Sequence, residues 1–196
     1  MRLLRTVELF HHKPAIMKKA EGRLEQLRTS LAGFLSENPG WCDPQADRKK
    51  GQIVRGENLK GFPFISLDMP QGFRKDWFFT FRTLFWWGHY LGFSFILRGG
   101  NLPRYLDTLV QNLEQPEAEG TWIATTDTPW EWELDSGGYQ PIRERGRDVL
   151  RRHAESRGFL KLLRVHPVAA PAFPHLDWTS AGVSAYQGLA GLFLGD

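Results

Sequence analysis

The sequence predicts an α+β fold, a mainly antiparallel sheet of about five strands with a long N-terminal helix and two or three further helices packed on it. Three observations predict it. Apolar residues alternate with a period of two from Trp77 to Leu97, and apolar residues recur at helical spacing between Pro14 and Glu37. Clusters of Gly, Pro, Asn and Asp punctuate the segments that carry these patterns. A hydrophobic content of 41% and a charged content of 24% are those of a globular chain. No repeat, low-complexity tract or linker divides the sequence, so residues 1–196 read as one α+β domain, with a helical segment at 1–38 and a C-terminal tail at 166–196 that ends in a short helix.

At the N-terminus, Leu3, Val7 and Phe10 fit either a short helix or a first strand. Between Pro14 and Glu37 the apolar residues Ile16, Ala20, Leu24, Leu27, Leu31 and Phe34 make one stripe, with Pro14 as a start signal and Asn38-Pro39-Gly40 as a stop. Residues 41–60 are polar and rich in turn formers and read as an exposed loop, most charged at Asp47 to Gly51. A strand follows from Phe62 to Met69, with Pro63 tolerated in its first residues, and Pro70-Gln71-Gly72 turns the chain toward the aromatic run.

Trp77 to Leu97 approaches the roughly 20 apolar residues of a membrane-spanning helix. Arg82 and His89 lie inside it, however, and its Phe, Trp, Thr and Tyr favour strands. The alternation makes it a hairpin rather than a span. The odd-numbered residues of both arms share a face only with an odd-length loop, which predicts Gly88-His89-Tyr90 as the turn. Trp87 then pairs with Leu91, Phe85 with Phe93, Thr83 with Phe95 and Phe81 with Leu97. The opposite face carries Thr80, Arg82, Leu84 and Trp86 beside Gly92, Ser94, Ile96 and Arg98, a mixture that implies half-exposure or an amphipathic cover.

After Gly99-Gly100, Asn101 caps a helix spaced by Leu102, Leu106, Leu109 and Leu113. Gly120 to Thr126 and Trp130 to Leu134 read as strands, the latter with Trp130, Trp132 and Leu134 on one face and Glu131 and Glu133 on the other. A helix is predicted from about Pro141 to Arg157, and another from the spacing of Val183, Tyr186, Ala190 and Phe193.

For chemistry the sequence offers few motifs. There is no nucleophile elbow, since Gly182-Val183-Ser184-Ala185-Tyr186 lacks its second glycine, and no phosphate-cradling or dinucleotide-binding glycine loop, so neither a catalytic motif nor a cofactor is indicated. Adjacent His11 and His12 diverge, and His175-Leu176-Asp177 lacks a third ligand, so no metal is indicated either. His153 reads as a core or boundary residue and His89 as a turn residue. The single cysteine, Cys42, excludes an internal disulfide framework and fits a reducing, cytoplasmic setting; Met1 to His12 shows no secretory signal.

Between Arg143 and Arg164 eight basic residues face three acidic ones, a local charge of +5 in a chain of +3. On a helical wheel Glu144, Asp148 and Glu155 run down the middle of the charged face and Ile142, Val149, Leu150, His153 and Ala154 line the other. That pattern favours a solvated, ion-paired surface; nucleic-acid contact through Arg143, Arg147, Arg151 and Arg152 is the third functional reading.

The leading reading is a non-enzymatic module that binds another protein chain or forms a homodimer. Its motives are the missing catalytic motifs, eight tryptophans and an apolar, Gly- and Ala-rich C-terminal helix able to pack on a partner. The alternative is a small-molecule binder or enzyme for an anionic ligand. If the Trp130 to Leu134 strand joins the hairpin's sheet, Arg82, Trp86, His89, Arg98, Glu131 and Glu133 gather on one surface. There Arg82 holds the anion, an aromatic ring stacks on the ligand and a glutamate orients it.

Overall fold

A computed structural model describes residues 7–144 and 147–194, with backbone alone at 147–149, 153 and 154. The expectations for Leu3, Arg145 and the side chains of Arg147, Asp148, Val149, His153 and Ala154 lie outside the described residues. In chain order the elements are α1 (Glu8–Glu37), β1 (Gln52–Leu59), β2 (Phe62–Phe73), β3 (Phe78–Trp86), β4 (Tyr90–Arg98), α2 (Leu102–Gln111), β5 (Trp122–Ala124), β6 (Tyr139–Pro141), α3 (Arg147–Arg157), β7 (Leu160–Pro167) and α4 (Trp178–Phe193). The strands form one antiparallel sheet of seven in the order β1-β2-β3-β4-β7-β5-β6. No helix among the described residues is long and apolar enough to cross a membrane.

The α+β class and the long N-terminal helix agree with the sequence; the strand count of five does not. β1 lies inside the segment read as a loop. It is an edge strand with mostly exposed side chains, held by its backbone ladder to β2 from Gln52↔Asp68 to Leu59↔Phe62, so it shows no hydrophobic alternation. β7 lies inside the basic segment, where Lys161 and Arg164 mask its alternation, although it occupies an interior position between β4 and β5. Trp130 to Leu134, expected as a strand, pairs with none; it crosses the sheet's face instead.

The hairpin parity is correct, and its register is one pair further back than expected. Trp86 pairs with Tyr90, Phe85 with Leu91, Thr83 with Phe93, Phe81 with Phe95 and Phe79 with Leu97, which makes Trp87-Gly88-His89 the three-residue loop. Gly88 supplies the positive φ (75°) at the centre of that loop, and the His89 N–H closes it onto the Trp86 carbonyl at 3.0 Å.

The inner strands of the sheet are dry on both faces. On one, Phe79, Phe81, Phe93 and Phe95 pack with α4, Phe81 against Tyr186 at 5.1 Å and Phe95 edge-on to Phe193 at 4.9 Å between ring centroids. α1 completes this layer with Met17, Ala20, Leu24, Leu27, Leu31 and Leu35; Ile16 and Phe34, expected in the stripe, are exposed and half-buried. The helix begins at Glu8, six residues before the expected Pro14 start, which stands inside it; the carbonyl its ring deprives is that of exposed Phe10. On the other face Phe78, Leu84, Trp86, Tyr90, Ile96 and Leu163 meet Ala124, Trp132, Tyr139 and Phe159 in a second core.

α2 follows its predicted stripe, although the Asn101 amide donates to Asp43 Oδ2 at 2.9 Å rather than capping the helix. The expected 141–157 helix divides into a 3-10 turn at Ile142–Glu144 and α3. Asp177 caps α4 by accepting from the N–H groups of Thr179 and Ser180 at 2.8 and 3.0 Å.

The close packing of α1 on α4 passes through Gly182. A Cβ there would lie 2.6 Å from both δ carbons of Leu27 and 3.1 Å from Phe93, whereas a Cβ at Gly191 meets nothing within 4 Å. Gly182→Ala is therefore expected to lower stability by about 1–2 kcal/mol through overpacking, against its helix-propensity gain. Gly191→Ala is expected to raise it by about 0.5–1 kcal/mol. Urea denaturation of the two variants beside the parent checks both signs.

Candidate functional site

β7 carries polar residues on both faces in the interior of the sheet. Lys161 points to the second core and is fully buried. Its Nζ donates to the carbonyls of Pro129 at 2.8 Å and Glu131 at 2.6 Å and lies 3.3 Å from the centroid of the Trp132 ring. Two tyrosines bind the same stretch: Tyr90 Oη donates to the Trp132 carbonyl at 2.5 Å, and Tyr139 Oη to that of Glu131 at 2.6 Å. The carbonyls that a strand would have spent on a ladder are thus spent on three side chains. Burial pushes the Lys161 ammonium well below the usual lysine range, the nearby Arg82 adds to this, and Glu131 opposes it.

Arg82, expected to hold an anionic ligand, stands opposite Asp68 in the β2–β3 ladder. Its Nε and Nη2 donate to the two Asp68 oxygens at 2.8 and 2.7 Å, Thr80 donates to the same carboxylate at 2.9 Å, and the Trp130 ring lies over the guanidinium at 5.0 Å. Glu131 and Glu133 do not meet it. Each lies 3.2 Å from Lys60 Nζ, and Glu131 Oε1 also accepts from the N–H groups of Trp132 and Glu133. Burial acts to raise the Glu131 carboxyl, but those donors and Lys60 outweigh it and hold it below the usual range. Arg98 is exposed at the end of β4, in a separate depression with Asp76 and Glu155. Three of the expected ligand residues do come together: Trp86, His89 and Glu133 line one concavity of about 520 Å³ at the hairpin tip.

The basic segment is divided among a turn, a helix and a strand. Arg143 donates to the Gln115 carbonyl at 2.8 Å and lies 3.9 Å from Glu119, Arg151 pairs with Asp107, and Arg157 with Asp127. Arg151 and Arg152 are exposed. These three acidic partners, Glu119, Asp107 and Asp127, lie on other elements.

A concavity of about 590 Å³ lies on the helix side of β7. Arg164 and His166, two apart on one face, form its floor; Ser184, Gln187 and Gly188 of α4 form one wall and Pro116 to Gly120 the other. Arg164 Nε donates to Thr121 Oγ1 at 3.0 Å and its Nη2 to the Glu117 carbonyl; among the described residues no other acceptor engages its guanidinium. A Cβ on Gly188 would come within 2.6 Å of Nη1, so the glycine lets the guanidinium lie against the helix. His166 packs edge-on to Phe93 at 5.7 Å, and burial lowers its imidazole below the usual range, favouring the neutral form. Glu117 and Glu119 stand at the rim. Among the described residues no group of three or more His, Cys, Asp or Glu is placed to hold a metal ion.

No protein-family model, curated protein or solved structure matches this chain.

Asp68, Lys161, Arg164 and His166 are the site residues that sequence reasoning missed. A signal for the last three exists, because Leu160, Leu162, Arg164 and His166 alternate with Lys161, Leu163 and Val165 as a strand would. Replacing Lys161 by Met keeps the length and removes the donor, leaving the Pro129 carbonyl unpaired at about 1–3 kcal/mol, while the Glu131 carbonyl keeps Tyr139. Lys161→Met is expected to lose about 1–3 kcal/mol in urea unfolding and to accelerate amide exchange selectively from Trp130 to Tyr139.

Proposed function

We propose that this chain is a non-catalytic binding protein for a small polar molecule that carries an acidic group beside hydrogen-bond donors, held in the cleft between β7 and α4. The observation that carries this reading is the pair Arg164 and His166 on the core-facing side of an interior strand, opening into a concavity of about 590 Å³. Two and four positions before Arg164 on the same face stand Leu162 and Leu160, both buried in the core. Arg164 gives two protein acceptors part of a five-donor fork, and the remaining donors face a space of ligand size. A carboxylate or phosphate satisfies them. Glu117 and Glu119 at the rim accept from an ammonium or hydroxyl on the same ligand, which distinguishes this cleft from a purely anion-selective one.

Self-association through the C-terminal helix is less well supported. Gly182, Ala185, Tyr186, Leu189, Ala190 and Phe193 of α4 are buried within their own chain, so its small-residue face is occupied. Arg82 is likewise engaged by Asp68 and covered by Trp130, which moves the anion-binding role from Arg82 to Arg164.

Thermal-shift titration with serine, malate and inorganic phosphate, each acid compared with its amide or ester, tests the reading. An acid-bearing probe is expected to raise the melting temperature and its neutral counterpart to leave it unchanged. Arg164→Gln is expected to weaken binding by about tenfold or more, as loss of a charged hydrogen-bond pair implies. Gly188→Ala is expected to displace the guanidinium and weaken binding while leaving the free protein as stable or more so. Equal responses to acid and amide, or an undiminished response in Arg164→Gln, contradict the proposal.

A further inference from the structure

The concavity of about 520 Å³ at the tip of the β3–β4 hairpin lies on the other side of the sheet and shares no lining residue with the β7–α4 cleft. Its walls are Trp86 and Tyr90 from the ends of the two strands, the loop residues Gly88 and His89, Pro167 at the end of β7, and Glu133 to Ser136. Every ionised carboxylate or ammonium in that wall is acidic: Glu133 and Asp135 line it, and no lysine or arginine does. Lys60 reaches Glu133 from outside at 3.2 Å and divides its charge with Glu131. Asp135 is exposed, and no described residue forms an ion pair with it.

The aromatic part of the wall is Trp86, His89 and Tyr90. The His89 ring lies flat on Trp86 with centroids 3.7 Å apart and meets the edge of Phe62 at 4.8 Å. Its Nε2 is shielded from solvent and has no hydrogen-bond partner among the described residues, an unusual state for a ring nitrogen in a structural stack. Trp86 is fixed from behind by donating its indole N–H to the Leu59 carbonyl at 3.1 Å. Rigid π faces beside two carboxylates present negative potential from both sources and repel an anion. Two carboxylates without a third ligand do not make a metal site.

We infer that this pocket binds a small organic cation, a primary ammonium or guanidinium group on an apolar alkyl or aryl body, with the charge toward Glu133 and Asp135 and the body on the Trp86–His89 stack. The inference is independent of the β7–α4 cleft.

Amide-resolved NMR titration of the full chain with benzylammonium, and with benzyl alcohol as a neutral probe of similar shape, tests it. Benzylammonium is expected to shift the signals of Trp86, His89 and Ser136 and the Trp86 indole, and benzyl alcohol to bind at least about fivefold more weakly, the upper range for an exposed charge pair. Asp135→Asn and Glu133→Gln are each expected to weaken benzylammonium binding by about two- to fivefold. Lys60→Gln, which removes the competing cation, is expected to strengthen it, and Arg164→Gln to leave it unchanged. Equal binding of the two probes, weaker binding in Lys60→Gln, or shifts elsewhere or nowhere overturn the inference.

Discussion

A sheet that is dry on both faces holds charge only where each charge finds its partners within the fold. In this chain that constraint falls on Lys161, fully buried in an interior strand. An ammonium without acceptors in such a place is too costly to keep, and the acceptors come from backbone rather than from a carboxylate. The segment that supplies them, Pro129 to Trp132, forgoes strand pairing to do so and lies across the sheet. Trp132 and Tyr139 close the second core over it, and Glu133 to Ser136 then form a wall of the hairpin-tip pocket. The Asp68–Arg82 pair solves the same problem one step away by a shorter route, with two ladder neighbours of opposite charge and Trp130 as a lid.

The two faces of β7 use their polar residues in opposite ways. Lys161 has its donors directed at two carbonyls and an aromatic ring inside a closed core, and is structural. Arg164, three residues on and on the other face, meets only two acceptors among the described residues and opens into a concavity. The helix above it is kept clear by Gly188. Where a charged group is satisfied it organises the fold, and where it is half-satisfied at a cleft it keeps donors to spare.

The sequence made the elements with strong periodicity legible and hid those whose side chains break it. The hairpin parity, the α1 stripe and the α2 stripe could be read because a period of two or 3.6 is imposed by burial on one side. β1 could not, because an exposed edge strand owes its place to backbone pairing alone. β7 is obscured by composition: its Lys161 and Arg164 fall in one basic run with the arginines of α3, although they face opposite sides of a strand. Trp130 to Leu134 alternates as a strand would, yet its carbonyls are taken by Lys161, Tyr90 and Tyr139. Of the expected ligand residues, Trp86, His89 and Glu133 do share a pocket. Arg82 does not, because its partner Asp68 lies on a neighbouring strand that only the fold brings into register.

The burial of Lys161 is measured most directly by NMR titration of the lysine ε-methylene signals, assigned by their loss in a Lys161 variant. Burial in the second core makes the Lys161 ammonium release its proton well below the ordinary lysine value of about 10.4. A Lys161 signal that titrates together with the others would place its ammonium in water, and the anchoring of residues 129–132 to the sheet would then be wrong.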